Sequence, residues 1–308
     1  MPPSPLQRHD LLAPLHAQIR RLVVGVVSDV RTTGIDYDAP KGDPGLFGPD
    51  SATWRIHADF PAMMAGGLCA LMLQTLHPRA LAGVWDHSDF RNDLLGRLRR
   101  TTIFVGGTSF APTAEAEALI ARVRRIHTRV QGVTADGTPY RADDPELLTW
   151  VHCTEMWSFL QGYRRYRRPV PLAIQDRYYD ETARIAEALG AADVPRSRAA
   201  VEAYFGRVRP QLRYDERSAT VLGVLDRAAL PVMFGHAIRP VFLGAGAALL
   251  PDWACTLLRR GRLKRMQDAA AARSLALVAP AIRGALREGV ATRSCRRMGV
   301  SPALLDRW

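Results

Sequence analysis

The stretch that decides the fold is residues 97–132. It begins RLRRTTIFVGG (97–107), turns through TSFAPT (108–113) and ends AEAEALIARVRRIHTRVQG (114–132). In the last part Ala116, Leu119, Ile120, Val123, His127 and Val130 recur at helical spacing and form one stripe. Every member is apolar except His127. An imidazole in a slot meant for the core is either a satisfied core histidine or a ligand. Upstream, Arg97, Arg100 and Thr101 share one face of the preceding helix. They form either a solvated basic face, with Thr101 bonded back to a carbonyl, or a polar patch over an apolar pocket. In the second case Arg would stabilise developing negative charge on oxygen or substrate, and Thr would offer a hydroxyl.

Helical pattern extends outward on both sides. PAMMAGGLCALMLQTL (61–76) is apolar nearly all round, as in a helix buried on every side. Gly66 and Gly67 lower its propensity, which suits the close approach of another helix or a flat ligand. His77-Pro78 ends it. A short helix or turn follows at 79–90. Asp93 is the expected cap of a helix running from 94 to about 105, stopped by Gly106-Gly107. Thr113 is the expected N-cap of the His127 helix, Gly132 closes it, and TADGTP (134–139) is a turn. Asp144-Pro145 is a strong helix start, and in the helix that follows Leu148, His152, Glu155, Phe159 and Tyr163 share a side. Further helices are expected at 172–189, 198–208, 215–229 and 267–288, with a Pro-broken apolar segment at 230–258. No strand period supports more than a stray hairpin. The fold class is all-α: residues 1–44 form an arm and a Gly/Pro-rich loop, and residues 45–308 one helical domain.

A chain of 308 residues, 47% hydrophobic, can bury a sizeable core. The net charge is +12, but basic residues are spread along the chain, and all except Lys41 and Lys264 are Arg. That distribution does not suit a nucleic-acid partner. Cys69, Cys153, Cys255 and Cys295 make no C-x-x-C pair, and the first two sit in apolar helical pattern as reduced core residues. The N-terminus has no continuous apolar run of the secretory type, and the longest run, 241–250, is too short to span a bilayer. The expectation is a cytoplasmic protein with no integral membrane segment.

The eight histidines include no zincin pair and no Glu-x-x-His pair of helical di-iron sites. A nucleophile elbow, a phosphate-binding P-loop and the C-x-x-C-H attachment of covalent haem are also missing. What remains is single histidines in a large apolar helical core with arginines nearby. Non-covalent haem suits that set: one imidazole can ligate iron, apolar helices enclose the macrocycle, and arginines pair with propionates. On the residues alone, a haem oxidoreductase, a non-catalytic carrier of haem or an apolar ligand, and a cofactor-free protein with core histidines all stay open.

The blocks WRIHADFPAMMAGGLCALMLQTLHPRALAGVWDHSDF, DLLGRLRRTT, RVRRIHTRVQG and DPELLTWVHCTEMWSFLQGYRRY resemble, in order and character, the family that contains latex-clearing rubber oxygenases and the fungal oxygenase acting on the farnesyl chain in mycophenolic acid biosynthesis. Weaker likeness carries the resemblance over roughly 45–260. It implies a globin-like core holding haem b, with His127 as axial ligand in the setting Arg124–His127 and a distal group of Arg97 and Thr101. Arg100 would stand near the rim, Arg124 or Arg125 would pair with a propionate, and His152 would line the pocket. The substrate would be a small, largely apolar molecule, oxidised with O₂ or peroxide in oxidative tailoring or alkene cleavage. Two departures weigh against rubber itself. The rubber-cleaving members have a lysine where this chain has Arg100, and a distal glutamate upstream of the arginine, whereas this chain has no Glu before Glu115. The nearest acids there are Asp86, Asp89 and Asp93.

Overall fold

A computed structural model describes residues 34–228 and 235–308, the side chains of 235–237 excepted. The expected arm at 1–20 and the segment at 21–30 lie outside the described residues, as does part of the Pro-broken segment. Among the described residues thirteen α-helices follow one another. They are α1 (Ala52–His57), α2 (Phe60–Gln74), α3 (Pro78–His87), α4 (Leu94–Phe110), α5 (Thr113–His127), α6 (Pro145–Tyr166), α7 (Leu172–Leu189), α8 (Arg198–Val208), α9 (Glu216–Arg227), α10 (Gly235–Ala247), α11 (Asp252–Leu257), α12 (Arg262–Ala285) and α13 (Val290–Met298). Between α5 and α6, β1 (Gln131–Val133) pairs antiparallel with β2 (Pro139–Arg141), Gly132 opposite Tyr140. The fold is all-α apart from this hairpin.

The near-uniform apolarity of α2 has a direct cause: it packs against α6, α10 and α12. Glycines permit the closest of these approaches. A methyl group added at Gly66 would stand 2.7 Å from the Ser158 carbonyl oxygen, and one at Gly162 would stand 2.5 Å from that of Ala62. The two helices therefore cross backbone to backbone, with Gly66 and Gly162 facing each other. At Gly246 of α10 the same addition would come within 2.8 Å of the Ala65 carbonyl oxygen. Asp59 caps α2 by accepting from the Ala62 N–H, and its buried carboxylate is held by Arg283 of α12. Asp144 caps α6 through the N–H groups of Glu146 and Leu147, with Pro145 in the first turn, as the sequence leads one to expect. Helices α7 and α8 match the expected bounds.

Two expectations fail at the α4–α5 junction. Gly106-Gly107 does not stop α4, which continues to Phe110. Pro112 ends it instead, by holding Ala111 extended. Gly107 serves packing, since a methyl group there would strike Leu119 of α5 at 2.2 Å. Thr113 does not cap α5 but is its first residue, after Pro112. Its hydroxyl and N–H are taken by Asp43 from the N-terminal loop. All four cysteines are buried and free. Among the described residues no single helix is long and apolar enough to cross a membrane.

Candidate functional site

Within the buried helix α2 one line of residues keeps partial exposure: Phe60, Met63, Met64, Gly67, Leu71 and Gln74. These positions fall at helical spacing and so form a single stripe. The faces packed on α6 and α10 are closed, so this stripe is the side of α2 that its neighbours cover least. Glu155 of α6 keeps partial exposure in the same way, yet burial pushes its carboxyl up to about 7. The helices packed around it thus disfavour its charged form. Gln74 links the two helices there. Its amide donates to the Thr154 hydroxyl at 3.2 Å.

A polar chain is also buried in the core. Ser109 Oγ donates to the Val105 carbonyl at 2.6 Å, so its only proton is spent. His57 Nδ1–H must then donate to Ser109 Oγ at 2.7 Å, leaving His57 Nε2 to accept from the Tyr178 hydroxyl at 2.7 Å. Burial, with His152 nearby, holds the His57 imidazole down to about 3, so it is neutral. The chain ties α1, α4 and α7 together. His152 itself is buried, and burial holds it down to about 4.

The α4–α5 pair forms a helical hairpin in which Gly107 lies beside the Leu119 side chain. Counting back to Arg97 and forward to His127 covers about 15 Å and about 12 Å of helix. Both residues therefore lie at the open end of the hairpin. Arg97 is partly exposed, but burial and the neighbouring Arg100 hold its guanidinium below the usual arginine range. His127 is likewise half-buried, and burial lowers its imidazole despite Asp143 nearby. Its Nδ1 is buried with no hydrogen-bond partner. That differs from a core histidine tied to a backbone carbonyl. The Nδ1 of His77 is likewise buried and unpartnered.

The remaining sequence candidates are exposed. Thr101 is exposed, and its hydroxyl returns to the Arg97 carbonyl at 3.2 Å. Arg100 is exposed and pairs with Asp93 at 3.3 Å. Arg124 and Arg125 are exposed in the last turn of α5. Sequence reasoning missed the roles of Gln74, His57, Ser109 and Tyr178, and named Glu155 only as a neighbour of His152. Among the described residues no group of three or more His, Cys, Asp or Glu is placed to hold a bare metal ion. A shallow depression beside Arg260, Arg262 and Arg265 carries no comparable chemistry. Arg260 is paired with Asp268 at 2.6 Å, and Arg265 pairs with Asp252.

Comparison with known families matches residues 54–283 to the family described as "ER-bound oxygenase mpaB/B'/Rubber oxygenase, catalytic domain". No curated protein and no solved structure matches the chain. The family match spans α1 to α12, which includes every candidate residue named above, and the chain belongs to this family of oxygenase catalytic domains. It is therefore an enzyme, of the oxygenase class.

Proposed function

We propose that this oxygenase uses non-covalent haem b, with His127 as the protein ligand and a small, largely apolar substrate in the space beside α2. The observation that carries the reading is His127: a desolvated imidazole whose buried Nδ1 has no partner, at the same end of a helical hairpin as the enclosed Arg97. These residues fit the group. An imidazole kept neutral by burial has its ring lone pair free for iron, and one protein ligand suffices when the macrocycle brings the other four. When bound, haem supplies the one-electron and oxygen chemistry that no side chain here can provide.

The chain's own residues do the rest. Met63, Met64, Gly67 and Leu71 offer an apolar wall that binds the substrate and excludes water. Arg97 holds a permanent cation out of bulk solvent, where it stabilises negative charge developing on oxygen more strongly than an exposed arginine could. Arg100 stands at the rim, and Arg124 and Arg125 are the exposed cations available to propionates. His57, locked by Ser109 and Tyr178, fixes α4 against α1 and α7 and so positions Arg97. O₂ or peroxide serves as oxidant, in oxidative tailoring or alkene cleavage.

The test is an absorption spectrum of the purified protein. The wild type should show a haem Soret band. His127→Ala should lose the band or shift it. Arg97→Ala should keep the band and lose about a hundredfold in turnover. A His127→Ala protein with full haem and an unchanged spectrum would refute the ligand assignment and move it to His152.

A further inference from the structure

Helix α12 has a face that the rest of the fold leaves uncovered. Leu263, Met266, Ala270 and Leu277 recur at helical spacing and form one exposed stripe. Leu263 is 71%, Met266 61% and Leu277 81% exposed, and Val278 lies beside them. Four of the eight exposed large apolar side chains among the described residues thus fall on this one helix. Its opposite face, with Leu275, Ala279 and Ile282, is buried. We propose that the exposed face of α12 docks the protein on an anionic lipid bilayer, with the helix lying flat at the level of the headgroups.

Charge decides the occupant. Arg262, Lys264, Arg265 and Arg273 are exposed on the same helix. Its one acid, Asp268, is buried and held by Arg260. Arg265 pairs with the exposed Asp252, but among the described residues Arg262, Lys264 and Arg273 have no acidic partner. An isologous contact with a second copy would set these cations against themselves, and a purely apolar partner would leave them unpaired. An anionic bilayer answers both features. Leucine and methionine enter the acyl boundary, while arginine and lysine extend their charged heads to lipid phosphates. The stripe is also a ridge and not a groove, which suits a fluid surface that moulds to it. Leu263 and Leu277 stand about 21 Å apart along the helix, so contact at both ends fixes the orientation of the protein. Because the other face of α12 belongs to the core, the helix can lie on a membrane but not cross it.

The experiment is sedimentation of the full-length protein with vesicles of phosphatidylcholine, alone or mixed equally with phosphatidylglycerol. The protein should bind the mixed vesicles, release them as salt is raised, and bind phosphatidylcholine alone about a hundredfold more weakly. Arg262→Gln, Lys264→Gln and Arg273→Gln together should weaken binding to mixed vesicles by about a hundredfold, roughly fivefold for each cation. Leu263→Ser with Leu277→Ser leaves the charge unchanged and should weaken it by about tenfold or more. All five positions are exposed, and melting temperatures show that the variants fold. Because the four native cysteines are buried, Ser274→Cys on the stripe and Ala118→Cys on the exposed side of α5 each take one environment-sensitive fluorophore. Emission from residue 274 should shift to the blue on mixed vesicles, and emission from residue 118 should not. No binding to mixed vesicles overturns the proposal. Binding that survives the leucine changes, or equal shifts at both positions, also overturns it and reports adsorption of a chain of net charge +12 without a docking face. A dimer in solution that the leucine changes dissolve overturns it too, and assigns the face to a second copy. None of these readouts involves haem, so the result stands apart from the cofactor reading.

Discussion

Gly162→Ala puts the crossing of α2 and α6 to a quantitative test. The new methyl group would stand 2.5 Å from the Ala62 carbonyl oxygen and 3.4 Å from the Gly66 nitrogen. Both are backbone atoms of α2, so no side chain can rotate away. Restoring the shorter contact to 3.4 Å requires the helices to part by about 0.9 Å. A gap of that size forfeits roughly a quarter to a half of the dispersion energy across the contact. Alanine gains about 1 kcal/mol of helix propensity over glycine, and overpacking costs typically about 1–3 kcal/mol, or more where the backbone must move. The expected balance is a loss of roughly 2 kcal/mol, which lowers the melting temperature by about 4–8 °C. Gly206→Ala on α8 is the control. It is exposed and its methyl group meets nothing within 4 Å, so it should be neutral or stabilising by up to about 1 kcal/mol. Circular dichroism melts of both variants decide the matter. A Gly162→Ala protein as stable as Gly206→Ala would show that α2 and α6 do not touch at their backbones.

Stability should fall on acidification below about pH 6.5. His57, His77 and His152 are held down to about 3, 4 and 4, so the unfolded chain takes up protons that the folded one refuses. Glu155 works in the opposite sense: raised from 4.5 to about 7, it favours the folded state at low pH, and that contribution is lost as pH rises through about 7. Three protons against one give a net slope of roughly 3 kcal/mol per pH unit between pH 4.5 and 6.5. Urea titrations across that range measure it, and Glu155→Gln should steepen the slope; a flat profile would contradict the neutral buried histidines. A thiol reagent should label none of the four cysteines in the native protein and all four in urea, since all are buried and free; rapid native labelling would contradict this packing. Gly107→Ala forces a methyl group onto Leu119, so it should alter the Soret band of the loaded protein although residue 107 touches no proposed ligand. An unchanged band with unchanged stability would count against the hairpin register.

Much of the fold can be read locally because its signals are local. Asp144-Pro145 caps α6 with its own neighbours, and the α7 and α8 bounds follow from adjacent Pro, Ser and Gly. The failures are non-local. Thr113 is taken from its expected capping role by Asp43, 70 residues away. Gly107 looks like a helix stop until Leu119 is seen to require its missing side chain. The same difference governs the site. His127 stands out in the sequence because an imidazole interrupts an apolar stripe. Gln74 does not, since its partner lies far along the chain: the α2–α6 crossing brings it to Thr154 from 80 residues away.

The hairpin of α4 and α5 behaves mechanically as a pair of tongs. Its closed end is clamped by Pro112, by the Gly107–Leu119 contact and by Asp43 on Thr113. Its tips carry Arg97 and His127. With arms of about 15 Å, a rotation of roughly 4° at the clamp moves a tip by about 1 Å. The grip on whatever lies between the tips is thus set at the far end of the arms, by residues that never meet it. Sequence change at the clamp can tune the spacing of the cation and the imidazole while leaving both of them, and the walls between, unaltered.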